Sequence, residues 1–413
     1  MTSRHEKSPL LLLPGVVFAL ALCGAAWVIV ASLPHAPLEP DSDDGFYMRY
    51  MQAVHERGLS AFPGLFEKWN ADEASWIFPP PSRIGFIVVS ALWAGLFGPT
   101  LFALQALSIT SHLLGSLVNY LFARRHLGEP RALYVGVLWA WSPLLMGLSR
   151  LALTDSFIAL CTSLTVWLFI ELVQAPASRR RLMAFAVALA FMVLVKELTV
   201  LLTVPFIAFV LIERFWRREP LEVPTFLAAF ALPGIVVASL LVLAAGGLPG
   251  LLESWRIVLG SPATNTYAIR LGSGPWFRYL IDYLCLSPAT TLLALAFAGV
   301  LAVRLRSGRY DRLLVFMALL VGCFLFEFSC FTKNVRYAVV LELPLRIFAV
   351  CMLGELLGTR GRARSVLLCF LAVAALCWLD WRSFDLYWVR YDGYDPTSQF
   401  LLGARHLIPY PSR

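Results

Sequence analysis

Residues 10–33 read LLLLPGVVFALALCGAAWVIVASL, and seven residues later comes Asp41-Ser42-Asp43-Asp44-Gly45-Phe46-Tyr47. The first stretch has no charged side chain and is long enough for a helix to cross a hydrocarbon core of about 30 Å. The second places three carboxylates within four positions at its border. Working outward, the chain of 413 residues is 59% hydrophobic and only 15% charged, with a mean hydropathy of +0.73. Soluble domains carry about 25% charged residues, so the expected fold class is all-α, a polytopic membrane protein. The net charge of +8 is assigned to Arg-rich cytoplasmic loops rather than to nucleic acid. The eight cysteines fall almost entirely in apolar runs without CxxC or zinc-like spacing, and read as small hydrophobes.

Loop charge orders the spans. The basic start, Arg4-His5-Glu6-Lys7, puts the first, uncleaved span's N-terminus inside. Residues 34–98 then form a first outer loop with eight acidic and four basic residues. Within it, Phe46, Tyr47, Tyr50, Met51 and Val54 recur at helical spacing, which predicts a helix lying on the membrane surface. Residues 84–97 are apolar but short, and are expected at the interface or as a re-entrant segment. The clusters Arg124-Arg125-His126, Arg179-Arg180-Arg181, Arg214–Arg218, Arg304–Arg312 and Arg360–Arg364 all belong inside. Alternation between them gives about 11 transmembrane helices, a return span over 283–303, a second outer loop over 246–282 and an outer tail over 380–413. The whole chain, 1–413, is one transmembrane domain. Asp43, Asp44, Arg83, Asp155, Lys196, Lys333 and Arg336 then share the outer face, from loop charge alone.

Charged groups at a membrane border are costly and commonly functional. Carboxylates can act as a general base toward a hydroxyl or bind a metal, and Arg or Lys can hold a phosphate. Each has a plainer reading. Asp43 can cap the following helix, as can Thr154 or Asp155 for the helix after them. Lys196 can snorkel or pair with Glu197, and Arg336 can anchor at the interface. Glu171, Glu327 and Glu342 read as span-end or packing acids, and His35, His55 and His112 show no metal spacing.

The order of features resembles the GT-C class of membrane glycosyltransferases, in the branch of protein O-mannosyltransferases and lipid A aminoarabinose transferases. The pattern D-[DE]-x-x-Y is matched by Asp43-Asp44-Gly45-Phe46-Tyr47. A Pro-Pro motif leading to a short helix ending in Phe-Gly is matched by Pro79-Pro80-Pro81-Ser82-Arg83 and Phe97-Gly98. Trp141-Ser142-Pro143, the Arg150 to Asp155 turn, Val195-Lys196-Glu197 and Arg336-Tyr337 follow in order. The chain departs from the pattern at Phe78, where a basic residue usually precedes Pro-Pro, and at Glu197, where a small residue usually follows the Lys.

The resemblance implies a GT-C-like fold and sugar transfer, with inversion, from a polyprenyl-phosphate donor to a lipid, protein or polysaccharide acceptor. The implied setting is a bacterial inner membrane with the site on its outer face. Asp43 is the expected base, assisted by Asp44 and Asp155, and Arg83, Lys196 and Arg336 are the expected phosphate ligands. A divalent cation on Asp43 and Asp155 is the open cofactor question. The rival is a transporter or flippase for a polyprenyl-linked saccharide, which would show broken helices near the midplane.

Overall fold

In the computed structural model of the chain, residues 13–34, 39–218, 223–260, 269, 272, 274–358 and 362–391 are described, and they contain helices and no strands. His35, residues 10–12 of the first span, much of 261–273 and the tail from 392 onward lie outside the described residues. Nine of the described helical segments are long and apolar enough to cross a membrane, and a bent pair makes ten. The shorter, 17-residue helix Arg179–Val195 stands beside them, and the count approximates the eleven expected from loop charge.

The helices are α1 (Leu13–Ala31), α2 (Asp43–Arg57), α3 (Phe62–Ala71), α4 (Ile84–Phe97), α5 (Leu101–Leu127), α6 (Arg131–Ala140), α7 (Pro143–Ser149), α8 (Asp155–Gln174) and α9 (Arg179–Val195). There follow α10 (Thr203–Leu211), α11 (Val223–Ala244), α12 (Leu248–Gly260), α13 (Arg278–Leu286), α14 (Pro288–Arg306), α15 (Arg312–Ser329), α16 (Glu342–Leu357) and α17 (Arg362–Phe384). A 3₁₀ turn over Val335–Leu341 leads into α16. Large apolar side chains such as Trp27, Leu96, Leu243 and Phe326 stay exposed on the outside of the bundle, as a hydrocarbon solvent permits.

Three local features position the site. First, α6 and α7 meet at 47°. Pro143 cannot continue a helix from α6, and Ser142 instead caps α7 by accepting from the Leu145 N–H. Second, the turn after α7 is held from α5, where Gln105 donates to the Arg150 carbonyl at 3.2 Å and Ser108 to the Leu153 carbonyl at 3.1 Å. That turn delivers Asp155 as the first residue of α8. Third, residues 39–40 fold back over the first turn of α2, where a Cβ on Gly45 would stand 2.3 Å from the Pro40 carbonyl oxygen. Only glycine allows that approach.

Two boundaries differ from expectation. The apolar face of α2 packs against protein, mainly α4, and is buried rather than left for lipid. The expected return span over 283–303 is divided at Ser287, which leaves helical geometry ahead of Pro288. The amphipathic α13 precedes the break and the apolar α14 follows it.

The bundle has two polar ends. At one, Glu171 near the C-terminus of α8 pairs with Arg125 and Arg181, Arg312 pairs with Glu213, and Arg304 with Glu355. The opposite end of α8 carries Asp155, and α9 runs from Arg179 to Lys196 beside it.

Candidate active site

Asp43 and Asp44 occupy the first turn of α2, and the cap is Ser42, whose hydroxyl accepts from the Gly45 N–H at 3.1 Å. The capping reading of Asp43 therefore fails, and its carboxylate is turned elsewhere. It meets Arg336, whose Nη1 donates to Asp43 Oδ2 at 2.8 Å. Nε of the same guanidinium donates to Asp155 Oδ2 at 2.9 Å, and Lys196 Nζ donates to Asp155 Oδ1 at 2.7 Å. Thus Asp43, Arg336, Asp155 and Lys196 form one chain of ion pairs drawn from α2, the 335–341 turn, α8 and the end of α9. Local structure holds each part. Asn334 caps the 335–341 turn by accepting from the Arg336 N–H, and Thr199 donates to the Lys196 carbonyl at 2.7 Å. Tyr337 offers its ring to the Lys196 ammonium, 4.9 Å from the centroid, a cation–π contact.

Arg83 sits immediately before α4 and directs its fork at Glu197, with Nε and Nη2 donating to the two carboxylate oxygens at 3.2 and 3.1 Å. Its remaining nitrogen donates to the Tyr47 hydroxyl. Burial alone would lower the pKa of Arg83, but the Glu197 carboxylate more than offsets it and the guanidinium is held well above its usual range. Burial pushes the Tyr47 phenol upward, so it stays protonated. Glu197, the departure from the family pattern, thus pairs with Arg83 and not with Lys196.

The six expected site residues come together. Three cations face three of the carboxylates, Asp43, Asp155 and Glu197, and Asp44 adds a fourth acid of a different kind. Burial, and then the charge of Asp43, push the Asp44 carboxyl up to about 7, against which Arg336 and a backbone hydrogen bond from Ala152 act. Its Oδ1 is buried without a hydrogen-bond partner. Burying six charges is costly, and such clusters persist only when charges are paired and hydrogen-bonded, as these are. A narrow crevice lies beside them, with Lys196, Arg336 and Tyr337 at its polar end and Leu198, Leu202 and Phe328 among its apolar walls.

Both oxygens of Asp155 and Oδ2 of Asp43 are taken by cations. Among the described residues no group of three or more His, Cys, Asp or Glu side chains is arranged to hold a metal. A divalent cation on Asp43 and Asp155 would compete there with Arg336 and Lys196. His112 is buried, and its Nε2 donates to the Ala140 carbonyl at 3.0 Å.

Sequence reasoning passed over Tyr47, Tyr337 and Glu197. Tyr47 stood in the quoted motif, and Glu197 was visible as a departure from it. It also passed over a second buried cluster in which Arg346 of α16 pairs with Glu342 at 3.0 Å and with Asp380 of α17 at 2.9 Å. Asp380 in turn accepts from Ser287 at the break before α14.

The fold is that of the GT-C membrane glycosyltransferases, the class the motifs resemble. Residues 84–243 match the family of dolichyl-phosphate-mannose-protein mannosyltransferases, a stretch running from α4 into α11. ArnT from Cupriavidus metallidurans superposes with a TM-score of 0.55 at 17% identity, over 94% of this chain and 68% of that one. The same protein bound to undecaprenyl phosphate gives 0.55 at 18% identity with the same coverage. The archaeal oligosaccharyltransferase AglB from Archaeoglobus fulgidus, in complex with an inhibitory peptide and a dolichol-phosphate, gives 0.56 at 12% identity, over 96% of this chain and 60% of that one. No curated protein sequence matches the chain.

Proposed function

We propose that the protein is an inverting glycosyltransferase that moves a sugar from a polyprenyl-phosphate donor to an acceptor hydroxyl at the outer face of a membrane, in a bacterium the inner membrane. The observation that carries this reading is the Arg336 guanidinium, which joins Asp43 to the buried Asp155–Lys196 pair. It sets a partly exposed carboxylate beside two fixed cations, which is what a base and a phosphate site require of each other. The Arg-rich turns at the opposite end support an outer-face site by the positive-inside rule. The matched family and the undecaprenyl phosphate of the ArnT structure support the donor class.

In the proposed reaction Asp43 takes the proton of the acceptor hydroxyl. The acceptor oxygen forms a bond to the sugar's anomeric carbon from the face opposite the phosphate. The bond from that carbon to the phosphate oxygen breaks, and its electron pair leaves with polyprenyl phosphate. Lys196 and Arg336 stabilise the charge that gathers on the leaving phosphate. Arg83, held by Glu197, orients the Tyr47 hydroxyl at the wall of the site. Asp44, its carboxyl raised to about 7 by burial and the charge of Asp43, stands beside Asp43 to orient the acceptor. The acceptor is a lipid, a protein or a polysaccharide.

The test is transfer from a panel of radiolabelled polyprenyl-phosphate sugars in membranes carrying wild type or Asp43→Asn. Loss of a positioned base lowers the rate by about 10²–10⁴-fold. Lipid movement across vesicles without transfer from any donor would replace this reading with a transporter.

A further inference from the structure

The ion pairs of Arg336 hold its guanidinium, but the main chain that carries it is held from α13, a helix that contributes no charge to the site. Tyr279 and Tyr283 stand one turn apart on the same face of α13, and both are buried. The Tyr283 hydroxyl donates to the Ala338 carbonyl at 2.7 Å. The Tyr279 hydroxyl accepts from the Asn334 N–H at 3.4 Å, a longer and weaker bond. The two held groups lie two residues after and two residues before Arg336. A third tie comes just ahead of them, where the Lys333 N–H donates to the Gly272 carbonyl at 2.8 Å. All three end on main-chain atoms, so they fix the path of the backbone on both sides of Arg336. The 335–341 turn is a 3₁₀ helix, whose own hydrogen bonds have poorer geometry than those of an α-helix, so ties from outside matter more there.

We infer that Tyr283, with Tyr279 in support, is a positioning residue for the phosphate-binding guanidinium: α13 sets the turn that aims Arg336 between Asp43 and Asp155. The inference rests on the polyprenyl-phosphate reading above. The rings of the same helix reach the second cation. Tyr279 lies edge-on to Phe324 with centroids 5.3 Å apart, Phe324 stacks on Phe328 at 4.3 Å, and Phe328 stands 5.9 Å from Tyr337. The Tyr337 ring in turn faces the Lys196 ammonium. The buried Arg346 cluster acquires a purpose in this arrangement, since it fastens α13 to the far end of the turn. Ser287, at the end of α13, donates to Asp380 at 2.8 Å and accepts from Arg346 Nη2 at 3.3 Å. The same guanidinium holds Glu342, the first residue after the turn, at 3.0 Å. A misplacement of about 1 Å at a reacting centre can cost about 10²-fold in rate, so a helix that touches neither donor nor acceptor can govern how well the phosphate is held.

Undecaprenyl phosphate titrated into the purified full-length chain in detergent tests this. Tyr283→Phe keeps the buried ring and removes only the hydroxyl. It is expected to bind undecaprenyl phosphate about three- to tenfold more weakly than wild type, the scale of one hydrogen bond. Tyr310→Phe removes a hydroxyl that donates to Glu213 at the opposite end of the bundle, and is expected to bind as wild type does. Arg336→Lys loses the planar fork and is expected to bind more weakly. Tyr283→Phe added to Arg336→Lys is expected to change binding by less than about twofold, because the hydroxyl acts through the arginine it positions. A second readout is independent of that pair of variants. Arg336 serves the phosphate, so in transfer assays Tyr283→Phe should lower kcat and leave the KM for the acceptor unchanged. Wild type that fails to bind undecaprenyl phosphate would overturn the proposed function and this inference together. Wild type that binds, with Tyr283→Phe equal to it, would overturn the positioning role alone. So would a loss of the same size in the Arg336→Lys background, or an acceptor KM that rises as far as kcat falls, since the hydroxyl would then support the fold at large.

Discussion

Replacing Asp155 by Asn removes the charge that two buried cations share. The carboxylate is fully buried, 2.7 Å from Lys196 and 2.9 Å from Arg336. Without it the site holds Arg83, Lys196 and Arg336 against only Asp43 and Glu197 as paired acids, and Lys196 loses its acidic partner. Breaking a buried pair by removing one member costs about 3–5 kcal/mol, because the remaining charge stays desolvated. Asp155→Asn is therefore expected to lower stability by about 3 kcal/mol or more, measured as denaturant unfolding in mixed lipid–detergent micelles. Removing the stranded cation as well should return part of the loss. The double variant Asp155→Asn/Lys196→Met is expected to be more stable than the sum of the single effects by about 1–3 kcal/mol, a coupling typical of residues in one charge network. A loss below about 1 kcal/mol, together with strict additivity, would mean that the cluster does not exist as a network and would refute the reasoning.

Two further outcomes are expected. The Asp44 carboxyl is raised to about 7 in the folded chain from an ordinary 3.8. A raised acid contributes stability that is present below its unfolded pKa and lost as pH rises through the folded one, so Asp44→Asn should match wild type near pH 4 and exceed it in stability at pH 8; unfolding midpoints measured across that range check this, and a variant less stable than wild type at pH 8 would contradict it. Arg346→Met leaves Glu342 and Asp380 buried without their shared cation, and should lower stability by about 3–5 kcal/mol in the same unfolding assay.

The order of the spans was legible because arginines mark one side of a membrane regardless of how helices pack. The clusters at Arg124, Arg179, Arg304 and Arg312 alone imply that Asp155 and Lys196 share the opposite end. What loop charge cannot express is pairing. Lys196 and Glu197 are adjacent in sequence, yet one turns to Asp155 and the other to Arg83, because the backbone at Lys196 is extended (φ −154°) and adjacent side chains diverge. That choice is set by α4 and α8, which are distant in sequence. The same holds for α2: its apolar spacing was readable, but whether lipid or α4 covers that face depends on where the three prolines at 79–81 return the chain. The cap at Ser42 was also hidden, since Asp41, Ser42, Asp43 and Asp44 are all capable of the role, and only the fold-back at Gly45 selects Ser42. The Arg346 cluster had no local signature, because its members come from the 287 break, α16 and α17.

Asp43, held by Arg336 at the edge of a buried charge cluster, is the proposed base of the glycosyl transfer. Asp41 offers a control inside the same motif, with a side chain 87% exposed and only a loose 3.8 Å contact to Arg49. The measurement that tests the claim most directly is the transfer rate from a polyprenyl-phosphate sugar for Asp41→Asn and Asp43→Asn side by side. The account predicts near wild-type transfer for Asp41→Asn and a loss of about 10²-fold or more for Asp43→Asn. Equal rates for the two variants would contradict it.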